Sequence, residues 1–324
     1  MGVVYKAEDT KLKRDVAVKF LPRQIAASEE DRKRFKIEAQ AAAALNHPNI
    51  ATIHAIEEIE GDMFIVMEYI EGSELKDVVG AKHSRVHADT ISKINEQNAS
   101  SLQLENIVTY AIQIASGLQT AHEKGITHRD IKSANIMITD KGQVKIMDFG
   151  LAKIAGGAQL TKVQSTLGTA AYMSPEQARG EEVDQRSDIW SFGVVLYEML
   201  TSQLPFKGDY EQAVIYSILN EDPQPVAELR NDFPEDLESI VNKCLQKEAK
   251  DRYQNTEDLL IDLQKIAVGA GSKSGKVEAH RNAPLWKRTF LYGGIAALIL
   301  LSLAAFYSLG LKMKRPRNAY LLQS

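Results

Sequence analysis

Residues 126–150 read ITHRDIKSANIMITDKGQVKIMDFG, and the polar chemistry of the chain is concentrated there. Two apolar runs, Ile136 to Ile138 and Val144 to Met147, flank Asp140-Lys141-Gly142, a tight-turn signal. The spacing predicts a short β-hairpin that carries Asp130, Asn135 and Asp148 to one end of a small sheet. These are two carboxylates and an amide, oxygen donors suited to a hard cation such as Mg²⁺.

His128-Arg129-Asp130, then Lys132 and Asn135, then Asp148-Phe149-Gly150, resembles the catalytic core of eukaryotic-type (Hanks-type) protein kinases of bacteria. The resemblance runs from Met1 to about Ile266. It implies an α+β, bilobal fold, with a small β-rich N-lobe over residues 1–69 and a large helical C-lobe over 70–266. By the same resemblance, Asp130 orients a substrate hydroxyl and accepts its proton, and Lys132 steadies the γ-phosphate of ATP. Asn135 and Asp148 hold Mg²⁺ between the β- and γ-phosphates. Lys132 two residues after Asp130, together with Thr169, favours serine and threonine over tyrosine.

Working back toward the start, Val3 to Ala7 and Val16 to Phe20 alternate as two strands around a charged turn. Val16-Ala17-Val18-Lys19 resembles the kinase strand whose lysine grips the α- and β-phosphates. Ser28 can cap a helix running to about Leu45, and Glu38 within it stands where the lysine's ion-pair partner is expected. Val4 and Ala17 are expected above the adenine ring, Met137 below it, and backbone groups of Glu68 to Ile70 at its edge. The glycine-rich loop G-x-G-x-x-G-x-V is represented only by its end, Gly2-Val3-Val4. Backbone N–H groups of that loop approach phosphates closely, so its missing part implies weaker nucleotide binding and an open sheet edge. A start assigned too late, or a shortened kinase, are the two explanations.

Working forward, Leu104, Ile107, Val108, Ala111, Ala115 and Leu118 recur at helical spacing, and Gly125 closes that helix. Residues 80–101 read as a polar insertion, where His83 and His87 belong to a solvated loop rather than a metal site. Thr161, Ser165 and Thr166 lie in a polar loop after Gly150, where phosphate paired with Arg129 would order the segment. Ser174-Pro175-Glu176 stands where the family has A-P-E. Ser187 to Leu200 is apolar nearly all round, a core helix. Within it, Asp188 is expected to satisfy backbone donors of the catalytic loop, and Arg252 to pair with Glu176.

The net charge of −4 gives no electrostatic footprint for nucleic acid. The single cysteine, Cys244, reads as a core residue. Residues 267–288, rich in glycine, serine and charge, read as a flexible linker. Thr289 to Leu311 carries no charge and as a helix reaches roughly 34 Å, enough to cross a bilayer core of about 30 Å. A C-terminal transmembrane helix at 289–311 with a short tail at 312–324 is expected, and because ATP is cytosolic the kinase resemblance implies a kinase domain on the cytoplasmic side of the plasma membrane. ATP, protein substrates and the bilayer are the expected partners, with dimerisation for autophosphorylation in trans. The rival reading is a membrane-tethered pseudokinase, a binding module without phosphotransfer.

Overall fold

The computed structural model describes residues 4–20, 29–59, 62–80, 102–149, 167–231 and 233–273. The first part is a four-stranded antiparallel sheet of β1 (Val4–Asp9), β2 (Arg14–Phe20), β3 (Ile53–Ile59) and β4 (Asp62–Glu68), in the order β1-β2-β4-β3. The β1–β2 turn is built by Asp9, whose carboxylate accepts the N–H groups of Lys11 and Leu12 at 3.1 Å each. Lys13 closes it with φ +53°. Helix α1 (Glu29–Ala43) packs on this sheet through a small cluster of Phe35, Ala39, Met63, Ile65 and Met67.

After β4 come β5 (Gly72–Glu74) and a short α2 (Leu75–Gly80), neither anticipated from sequence. Leu75 and Val79, one turn apart and both buried, are the available signal. Strand β5 joins the predicted hairpin, β6 (Ile136–Thr139) and β7 (Val144–Ile146), in a sheet of order β5-β6-β7. The tight turn at Asp140 to Gly142 forms as expected, with Gly142 at φ +74°.

Helix α3 (Leu104–Glu123) buries Ile107, Val108, Ala111, Ile114, Ala115, Leu118 and Ala121. Gly125, at φ +71°, terminates it. Gly117 in mid-helix lets the hairpin approach, since a Cβ there would meet Ile146 Cδ1 at 2.9 Å and Asn49 O at 3.3 Å. The connection before β3 is strapped to the same hairpin. Ile146 N donates to Asn49 O at 2.8 Å, Ala51 N donates to Ile146 O at 2.9 Å, and the Asn49 amide donates to Val144 O at 2.9 Å.

The remaining helices are α4 (Leu167–Ala170), α5 (Pro175–Arg179), α6 (Gln185–Thr201), α7 (Glu211–Asn220), α8 (Val226–Leu229), α9 (Glu235–Cys244) and α10 (Thr256–Lys273). Asp184 caps α6 by accepting from Arg186 N, and the helix is buried nearly all round. Gly193 brings α6 against α9, because a Cβ there would stand 2.6 Å from that of Cys244. Cys244 is buried, and burial pushes its thiol far up, consistent with a core role. One large core joins α3, α6, α9, α10 and the β6–β7 hairpin.

Helix α10 continues to Lys273, seven residues into the stretch read as linker from Gly269 and its neighbours. A helix already nucleated adds residues cheaply, and glycine costs only about 1 kcal/mol each, so the glycines do not stop it. Among the described residues, no helix is long and apolar enough to cross a membrane. The expected span at 289–311 lies outside the described residues, as do Gly2, Gly150, His83, His87, Thr161, Ser165 and Thr166.

Candidate active site

The loop between α3 and β6 carries Asp130, and nearly every polar group in it is held. Asp188, buried at the start of α6, accepts the backbone N–H of His128 and of Arg129, both at 2.7 Å. That is the structural role anticipated for it. Arg129 adopts φ +68°, a conformation costing a non-glycine residue about 1 kcal/mol or more. Its carbonyl is fixed from the other side by the Gln177 amide at 2.9 Å, and Gln177 also completes a capping box with Ser174. His128 donates from Nε2 to Met147 O at 2.8 Å, so its Nδ1 is free to accept Asp130 N at 3.2 Å. The His128 ring also meets Phe149 edge-on at 4.6 Å, tying the loop to the segment that bears Asp148.

Asp130 stands at the end of this scaffold, partly exposed. Buried Lys132 donates to both of its carboxylate oxygens, at 3.0 and 2.8 Å. The Asn135 amide nitrogen donates to Asp130 O at 2.8 Å and to its Oδ2 at 3.0 Å. With the nitrogen spent, the oxygen Oδ1 of Asn135 is the group left to act as a ligand. Asp148, at φ +63°, follows Met147, whose N–H donates to Asn135 O at 2.9 Å. Asp130, Lys132, Asn135 and Asp148 are thus brought into one cluster from one loop and one hairpin.

Lys19 reaches the cluster from above. Its ammonium lies 2.6 Å from Asp148 Oδ2, with both side chains about one-fifth exposed. Glu38, the carboxylate expected beside Lys19 from the sequence, lies on α1 and is partly buried.

The walls of the cleft follow from register. Val4 pairs with Lys19 and Lys6 with Ala17 across β1–β2, while Ala17 faces Met67 across β2–β4. Alternation along the strands therefore puts Val4, Ala17, Lys19 and Met67 on one face. Met137 on β6 is partly buried and lies on the face opposite the core residues Ile136 and Ile138. Its cross-strand neighbour Lys145 reaches Glu68 Oε1 at 2.8 Å, and Glu68 also accepts Thr52 N at 3.1 Å. Sequence reasoning missed this link between hairpin and hinge, because nothing in local pattern pairs residues 77 apart.

Below the loop, Tyr172 donates to Glu198 Oε2 at 2.7 Å and meets Ser133 Oγ at 2.9 Å. Burial pushes the Glu198 carboxyl above its ordinary range, against the pull of Tyr172 and Ser133. Arg252 pairs with Glu176 at 2.7 and 2.8 Å, as anticipated. Burial alone would push the Glu176 carboxyl up, but the hydrogen bonds from Arg252 and Ser187 prevail and hold it at about 2.

Residues 1–261 match the protein kinase domain family. Among curated proteins, the serine/threonine-protein kinase PknB of Mycobacterium leprae is 39% identical over 282 residues, covering 86% of this chain and 43% of that protein. PknB of Mycolicibacterium smegmatis is 41% identical over 293 residues, covering 88% and 44%. The chain thus spans about two fifths of the length of these relatives. Among solved structures, the PknI kinase domain of Mycobacterium tuberculosis superposes with a TM-score of 0.61 at 22% identity. That likeness covers 82% of this chain and 91% of that one, and speaks for the fold.

Proposed function

We propose, for a chain that belongs to the protein kinase domain family, that it transfers the γ-phosphate of ATP to serine and threonine hydroxyls of proteins. The convergence of Asp130, Lys132, Asn135, Asp148 and Lys19 carries the reading. Asp130 accepts the hydrogen of the incoming hydroxyl and aligns its oxygen with the phosphorus. Its carboxylate is held in one orientation by Lys132 and Asn135, so little reorganisation accompanies the reaction. Lys132 stays within reach of the transferred group and balances its charge.

The donor set fits a hard cation: Asn135 Oδ1 and the Asp148 carboxylate are oxygen ligands on adjoining segments. Mg²⁺ held there supplies neutralisation of phosphate charge. Lys19, which meets Asp148 at 2.6 Å, is the group that would hold the α- and β-phosphates, with Glu38 as the carboxylate that positions it. Val4, Ala17, Met67 and Met137 form apolar walls for a base, with the backbone of Glu68 to Ile70 at its edge, and Gly2 belongs to the same proposed subsite.

Control by phosphate at Thr161, Ser165 or Thr166 accords with Arg129, whose Nε is buried with no hydrogen-bond partner among the described residues. Residues 289–311 are proposed to span the plasma membrane, with the kinase domain on the cytoplasmic side where ATP is plentiful. Tethering in a plane favours encounter of two copies, and so autophosphorylation in trans.

The deciding experiment gives the full chain Mg-ATP and a serine- and threonine-containing protein, and follows phosphate by mass spectrometry beside a thermal shift. Phosphoserine or phosphothreonine is the expected product. A shift with nucleotide but no transfer would identify the pseudokinase instead.

A further inference from the structure

The hydrogen bonds that hold the catalytic loop do not end at Asp188. His122, in the last turn of α3, places Nε2 2.8 Å from Asp188 Oδ2 and Nδ1 2.6 Å from the hydroxyl of Thr256. Thr256 opens α10 and stands 134 residues from His122 along the chain. All three side chains are nearly inaccessible: His122 is 5% exposed, Asp188 1%, and Thr256 2% as a residue.

Chemistry fixes the direction of the bond to Asp188. Asp188 brings acceptor oxygens only, so His122 donates from Nε2. In the neutral ring Nδ1 is then a lone pair, and the Thr256 hydroxyl donates to it. The hydroxyl is not engaged in capping its own helix, because Asn255 does that, accepting Asp258 N at 2.8 Å. One hydroxyl on α10 therefore holds the ring nitrogen opposite the one that Asp188 engages. Asp188 in turn holds His128 N and Arg129 N, the two amides immediately before Asp130.

We propose that Thr256 is a positioning residue for phosphoryl transfer, acting through His122 and Asp188 on the backbone that sets Asp130. The proposal rests on the kinase reading for its effect on rate, although the relay itself is a matter of geometry. Without the hydroxyl, Nδ1 has lost its partner in a buried site, whether it is left as a bare acceptor or protonated as an unmet donor. The ring that donates to Asp188 is then no longer held from α10, and Asp188 is oriented less firmly. Arg129, held at φ +68°, is then less firmly fixed.

The test compares the full chain as wild type, Thr256→Val and Thr256→Ser, each with Mg-ATP and a serine-containing peptide. Valine keeps the shape and removes the hydroxyl. The expected result is a kcat lower by roughly tenfold, the loss of one buried hydrogen bond, with KM for ATP within about twofold of wild type. Serine restores kcat. Hydrogen exchange at the amides of His128 and Arg129 is faster in the valine variant and normal in the serine variant. Unchanged kcat with unchanged exchange overturns the proposal, and so does an equal loss in the serine variant. Should Thr256→Val fail to fold, Thr256→Ala is read the same way. Should the wild type transfer no phosphate, the kinase reading fails on its own, and faster or unaltered exchange still decides for or against the relay.

Discussion

The two sides of the cleft are held by different means. On the large lobe, the loop bearing Asp130 is fixed by donors and acceptors on every side: Asp188 from α6, Gln177 from α5, Met147 at the end of the hairpin, and Asn135 within the loop itself. It rests on a core that joins four helices and a sheet. On the small lobe, Lys19 rides on a sheet whose separate buried cluster has five members, with one helix against it. Its ammonium meets Asp148 at 2.6 Å. The difference teaches that the residue proposed to accept the proton is held by a dense set of buried hydrogen bonds, whereas the lysine proposed to hold phosphates stands on a sheet with a much smaller buried cluster.

The largest effect tests the densely held side. Asp130→Asn keeps shape and most hydrogen bonds but removes the proton acceptor, so transfer falls by about 10²–10⁴-fold. Nucleotide binding, measured by thermal shift with Mg-ATP, stays near wild type because Asp130 does not belong to the phosphate-holding set. Retained autophosphorylation in this variant would sink its assignment.

Next in size is the buried pair beneath the large lobe. Arg252 is fully buried, donates to both oxygens of Glu176 and also braces the carbonyls of Gln246, Lys247 and Arg186. Arg252→Met strands a buried carboxylate and should cost about 3–5 kcal/mol in chemical denaturation. The pair also carries a pH signature. The Glu176 carboxyl sits at about 2 in the folded chain against an ordinary 4.5, so its stabilisation is complete above pH 4.5. It fades as pH falls from there through 2, a loss on the order of 3 kcal/mol. A Glu176→Gln variant whose acid unfolding curve matches wild type in that window would refute the account.

These two tests concern the part of the molecule that was most legible in the sequence. The hairpin, α3 and α6 declare themselves by periodicity, and Asp188, Glu176 and Arg252 occupy the places that the resemblance gave them. The buried scaffold leaves such residues a single arrangement. What was not legible depended on contacts between distant segments. The Lys145–Glu68 link, the Gln177 brace on Arg129 and the Thr256–His122 relay carry no local signature. Helix α10 runs past its expected end because an established helix propagates through two glycines at modest cost.

A smaller effect tests the Lys19 side. Glu38→Gln removes the charge proposed to position Lys19 and should lower kcat/KM for ATP by roughly 10–100-fold, the worth of one charge-assisted contact. Asp148→Asn is the comparison, since it removes the carboxylate that Lys19 meets at 2.6 Å and a proposed metal ligand together. An unchanged kcat/KM for ATP in Glu38→Gln would refute the positioning role.

The smallest effect lies where the two sides meet. Lys145 on the hairpin contacts both oxygens of Glu68 at the end of β4, at 2.8 and 3.0 Å, with side chains 12% and 30% exposed. A partly exposed pair of this kind contributes about 0.5–1 kcal/mol, because solvent screens it and two side chains are immobilised. Lys145→Met should therefore lower stability by about that amount while the Asp130 loop, braced separately by Asp188, keeps its hydrogen-exchange protection. The same variant should loosen the hinge, seen as faster exchange at the amides of Glu68 to Ile70 and a KM for ATP raised by about twofold to fivefold. Equal loosening at His128 and Arg129 would mean that the cleft's two sides are one mechanical unit, and the contrast between them would not hold.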